Sequence, residues 1–101
     1  MLPKRVQKAL ARLRKGCPSR LPVRVRVLGG LPDQHWGHTI KGAKSFTVCL
    51  RRSSVPIMVE TLVHEWAHVL SWRDNARRDH DINRFGREYA RAYRVGYDDP
   101  S

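Results

Sequence analysis

The chain has 101 residues, 41% of them hydrophobic, with 20 Lys or Arg against 9 Asp or Glu, a formal net charge of +11 and a sequence pI of about 10.9. A domain of this size buries only about 60–65% of its unfolded surface, so one domain over residues 1–101 is expected and a second is excluded. No run approaches the roughly 20 apolar residues that span a bilayer, and the basic start runs into Ala9-Leu10-Ala11-Arg12 rather than an uncharged signal core. Cys17 and Cys49, the two cysteines, stand in unlike contexts without a pairing pattern. The expectation is a soluble cytoplasmic protein with reduced thiols.

Val6, Leu10 and Leu13 recur at helical spacing among Lys and Arg, which predicts an amphipathic helix ending near Gly16-Cys17-Pro18. Val23-Arg24-Val25-Arg26-Val27 alternates apolar and basic residues, the period of a half-buried strand, and Gly29-Gly30 closes it. Between Leu31 and Lys44 the sequence predicts a loop or a short strand around Trp36 to Ile40. Phe46-Thr47-Val48-Cys49-Leu50 alternates again, with Phe46, Val48 and Leu50 on one face and Cys49 as a buried strand residue.

From Val55 to about Trp72 the period becomes helical, with Ser53 or Ser54 as N-cap and Pro56 in the first turn. Val59, Val63, Trp66 and Leu70 form an apolar stripe, while Thr61, His64, Glu65 and His68 form a polar one. Asp81 can cap a last helix with Ile82, Phe85, Tyr89 and Tyr93 on one side, fraying from Gly96 onward. The fold class is therefore α+β, in the order helix, strands, helix, helix.

The polar stripe carries the motif His64-Glu65-Trp66-Ala67-His68. Imidazoles four residues apart on a helix project together and can occupy two corners of a zinc tetrahedron. A carboxylate next to the first imidazole lies near the metal yet points away from it, which suits Glu65 as general base toward an activated water. The bland alternative is a pair of surface histidines flanking an acid. Catalytic zinc takes three protein ligands; His80, in Asp79-His80-Asp81, is the main candidate for the third, with Glu88, Asp79 and Asp81 as rivals. His35 and His38 form a His-x-x-His pair that is a weak candidate for a second metal site, and His38 or Trp36 can line the cleft. Tyr89 and Tyr93 can donate to an oxyanion, although their spacing favours core packing.

The segment Glu60-Thr61-Leu62-Val63-His64-Glu65-Trp66-Ala67-His68, followed by His80, Phe85-Gly86 and Tyr89, resembles the SprT-like branch of zincin metallopeptidases, in particular small phage and bacterial members made of little more than the catalytic domain. The likeness covers roughly residues 44–94. It implies a minimal zincin-like domain: an N-terminal helix, a small antiparallel or mixed sheet whose edge strand aligns a peptide, the motif helix and a closing helix. It also implies zinc on His64, His68 and His80, Glu65 as base, and a bacterial or phage-infected cytoplasm.

The expected activity is zinc-dependent peptide hydrolysis, with the backbone near Phe46 to Leu50 holding substrate by strand addition. Two other readings stand beside it: a basic nucleic-acid-binding module whose zinc is structural, and a zinc hydrolase acting on other bonds. The basic residues fall in three groups, nine in the first 32 residues without an acid, four from Lys41 to Arg52 and seven from Arg73 to Arg94. Association with DNA through that surface is a further expectation.

Overall fold

Helical and alternating periodicities resolve into six elements across residues 2–29, 35–72 and 82–97, those that the computed structural model describes. They are α1 (Lys4–Gly16), β1 (Val23–Leu28), β2 (Gly37–Lys41), β3 (Phe46–Arg51), α2 (Val55–Ser71) and α3 (Ile82–Tyr97). The domain is α+β with the expected order of elements, and none of the described helices is long and apolar enough to cross a membrane.

The three strands form a mixed sheet in the order β1-β3-β2. β1 runs parallel to β3, with Val23, Val25 and Val27 opposite Phe46, Val48 and Leu50. β2 and β3 form an antiparallel hairpin, with Thr39 opposite Val48 and Ile40 opposite Thr47. Paired residues share a face, so Phe46, Val48 and Leu50 enter the core, as their alternation predicts. One expectation fails here. β3 is hydrogen-bonded along both sides, so Phe46–Leu50 cannot accept an added strand. β1 and β2 are the two edges of the sheet, and β2 is the edge that lies beside α2, so a strand added next to the motif helix would pair with β2.

α2 is the central helix, packed against β2 and β3, α1 and α3. Its buried arc is wider than a single apolar stripe, because Met58, Val59, Leu62, Val63, Trp66, Ala67 and Val69 all enter the core. Leu70 is half-buried. Trp66 is anchored by its indole N–H, which donates to the Cys17 carbonyl at 2.8 Å just past the end of α1. Ser54 is the N-cap and Pro56 lies in the first turn.

α3 is longer than expected at its C-terminal end and docks through small residues. Ala92 is fully buried, and a Cβ added at Gly96 would lie 2.7 Å from Val63 Cγ2. Tyr93, predicted to pack inward, is 49% exposed. Arginines satisfy helix-end carbonyls: Arg12 donates twice to the Gly96 carbonyl, at 2.6 and 3.2 Å, and Arg91 donates to that of Gly16 at 3.3 Å. Part of the basic composition therefore serves the fold.

Gly96→Ala should lower stability by about 1–3 kcal/mol, since a methyl group there must displace Val63. Gly86→Ala, on the same helix with open space around it, should raise stability by about 0.5–1 kcal/mol through helix propensity. Urea denaturation of the two variants measures both, and a destabilised Gly86→Ala would contradict the assigned helix face.

Candidate metal centre

The helical spacing of His64 and His68 brings their Nε2 atoms to 3.2 Å, with the rings edge-to-face at 4.9 Å between centroids. Two nitrogens on a tetrahedral zinc at about 2.0–2.1 Å each would be separated by about 3.3 Å. The imidazole pair thus already has the spacing of two such corners. Donor atoms of His64, Glu65 and His68 all lie within 4.8 Å of one another, and this group can hold a metal ion.

Glu65 is 6% exposed, one of the two buried polar side chains among the described residues. Burying a carboxylate requires a hydrogen-bond partner, and the Thr39 hydroxyl provides it, donating to Oε1 at 2.7 Å. Burial pushes the Glu65 carboxyl above its ordinary pKa; the Thr39 hydrogen bond and the neighbouring His64, His38 and His35 oppose that rise without cancelling it. A carboxyl in this condition takes up and releases a proton more readily near neutrality than an exposed one.

Gly37 makes the arrangement possible. A Cβ at that position would lie 2.5 Å from Thr61 Cγ2, 3.0 Å from the Cys49 carbonyl oxygen and 3.4 Å from Glu65 Cγ. The missing side chain lets β2 lie close against α2, so that Thr39, two residues on and facing the same way, reaches Glu65.

An open cleft runs past His64 and Glu65 in two lobes. Trp36, Ile57, Glu60, Thr61 and Tyr89 border one lobe, His38, Thr39, His68 and Trp72 the other, and His35 and Gly37 line both. Tyr89 is a cleft residue rather than a core residue. Its ring stands edge-on to His64 at 5.5 Å and stacks on Tyr93 at 6.4 Å. Burial, then the charges of Glu60 and Tyr93, push its phenol pKa up, so Tyr89 remains a hydrogen-bond donor toward the cleft.

His80, with Asp79 and Asp81, lies outside the described residues. Glu88 is described and sits elsewhere: it pairs with Arg91 at 3.7 Å, its charge bears on Cys17, and it does not join the donor group on α2. His35 and His38 border the same cleft as the imidazole pair and form no separate donor group among the described residues. Thr39 and Gly37 were not singled out as site residues in sequence, and His35 was singled out only with His38, as a weak candidate for a second metal site. Thr39 pairs with Val48 on the face of the sheet toward α2, a register that only the tertiary structure supplies.

Compared with known protein families, characterised proteins and solved structures, the chain matches none. The functional reading therefore rests on the site itself.

Because the folded state holds the Glu65 pKa above its unfolded value, the folded protein binds that proton more tightly. The associated stability is fully present below the ordinary Glu pKa of about 4.3 and is lost as pH rises through the raised folded value. Metal-free Glu65→Gln should therefore match the metal-free wild type in stability near pH 4 and exceed it at about pH 8. Denaturation of both proteins at the two pH values, in chelator, tests this; an unchanged difference would mean that the carboxylate carries no burial penalty.

Proposed function

We propose that the chain is a zinc-dependent hydrolase, and specifically a metallopeptidase of the SprT-like kind. The observation that carries this reading is the convergence of His64 and His68 at 3.2 Å beside the buried, hydrogen-bonded Glu65. Imidazole donors suit zinc as one of several first-row metals, and the near-tetrahedral spacing of the two nitrogens agrees with it. His64 and His68 hold the ion, and His80 is proposed as the third ligand. Zinc in such a site supplies Lewis acidity and makes water nucleophilic near neutral pH.

Glu65 accepts the proton of the attacking water and passes it to the leaving amine. The Thr39 hydrogen bond holds one carboxylate oxygen, which fixes the side chain's orientation and leaves the other oxygen for proton transfer. Tyr89, in the cleft beside His64, can donate a hydrogen bond to an oxyanion forming there. The edge of β2 offers backbone groups to an extended peptide lying along the cleft, a mode that reads chain more than sequence.

A non-catalytic zinc clamp is the competing reading; it needs four protein ligands and no position for water. The open cleft against both imidazoles favours the hydrolase.

Elemental analysis of protein purified without added metal, alongside cleavage of an unfolded protein substrate, tests the proposal. Wild type and Glu65→Gln should each carry about one zinc per chain, and His64→Ala and His80→Ala should lose it. Glu65→Gln should be slower by about 10²–10⁴-fold, as for loss of a general base. Wild type that takes up no metal even when zinc is supplied would overturn the reading, and full activity in zinc-loaded Glu65→Gln would remove Glu65 from the chemistry.

A further inference from the structure

The two lobes of the cleft share four of the described residues: His35, Gly37, His64 and Glu65. Three of them already have a place, since His64 belongs to the imidazole pair, Glu65 is the buried carboxyl and Gly37 lets β2 approach α2. A peptide that fills both lobes crosses from one to the other at this waist, so the bond beside His64 and Glu65 also lies beside His35. Among the described residues, His35 does not join the donor group formed by His64, Glu65 and His68. It is close enough for its charge to act on the Glu65 carboxyl. His35 is thus placed at the reacting centre but outside the set of metal donors.

Its neighbours in sequence hold it there. The Trp36 carbonyl accepts the Arg51 backbone N–H at 2.7 Å, and the Arg51 guanidinium lies over the Trp36 ring at 5.3 Å. Gly37 pairs with Leu50 in the sheet and lies close against Thr61 of α2. The backbone that carries His35 is therefore fixed from both β3 and α2, while its side chain is exposed to the cleft.

An imidazole carries at least one N–H, whether neutral or charged. As water adds to a peptide carbonyl, negative charge develops on the oxygen, and a donor fixed in place beforehand stabilises that charge more than it does the uncharged carbonyl. Tyr89 comes from α3 and borders one lobe; His35 comes from the strand side and borders both.

We infer that His35 is a catalytic residue, its imidazole N–H donating to the oxygen that becomes negative as water attacks a peptide bond lying across the waist. The inference rests on the hydrolase reading and adds a second donor to Tyr89.

Zinc-loaded wild type, His35→Leu and His35→Gln are compared in metal content, in cleavage of an unfolded protein substrate, and in calorimetric binding of a phosphinic pseudopeptide. The pseudopeptide matches a bond cleaved in that substrate, with a tetrahedral phosphinate in place of the amide. Each protein should carry about one zinc per chain and unfold at the same urea concentration, since His35 is exposed. His35→Leu should lower kcat by about 10²-fold, the lower end for loss of one fixed donor because the cleft is open to water, and change KM by less than about threefold. It should weaken phosphinate binding by about tenfold or more. His35→Gln keeps an N–H donor without an imidazole's charge and should regain about tenfold or more of the lost rate, which separates the hydrogen bond from an effect of charge on Glu65. Wild-type kcat and phosphinate affinity in His35→Leu, in a protein that Glu65→Gln inactivates, would overturn this inference alone. Zinc loss in His35→Leu would also overturn it, by making His35 a ligand. Zinc-loaded wild type that cleaves no protein substrate would overturn the hydrolase reading and this inference with it.

Discussion

The hydrogen bond from Thr39 to Glu65 links the edge strand to the central helix, and the candidate site depends on it. A carboxylate at 6% exposure is costly without a partner, so Glu65 can occupy the middle of this domain only if β2 lies within reach. That contact needs the close approach permitted by Gly37, and it places the edge of β2 alongside the imidazoles. The same constraint therefore orients the proposed base and sets the track on which an extended substrate would lie.

Packing around α2 shows how so small a domain supports a polar site. The helix is covered on several sides by α1, α3 and the sheet, leaving His64 and His68 half-buried at the cleft. Close approach at two points relies on the absence of a side chain, at Gly37 against Thr61 and at Gly96 against Val63. Arginine side chains satisfy carbonyls at the ends of α1 and α3, so the basic composition has a structural part as well as a surface part.

The two faces of the sheet divide the molecule's chemistry. The inner face packs on the core and carries Thr39 to the site. The outer face has no acidic residue on its strands and carries exposed arginines with Trp36 and Ile40. β2 belongs to both and borders the cleft.

Periodicity made much of this fold legible. Val6, Leu10 and Leu13, the alternation of Phe46, Val48 and Leu50, and the helical run through His64 and His68 each lead to the element observed. The spacing of four alone implied converging imidazoles, because helix geometry is local. Strand order is not local, and only the tertiary structure decided that β3 is central and that β2 is the edge beside α2, moving the expected strand-addition site. The same holds for the partner of Glu65, which is 26 residues away in sequence, and for Tyr89, whose helical spacing suited a core position equally well. A residue pattern specifies which side chains share a face, but which neighbour that face meets is set by the packing of the whole chain.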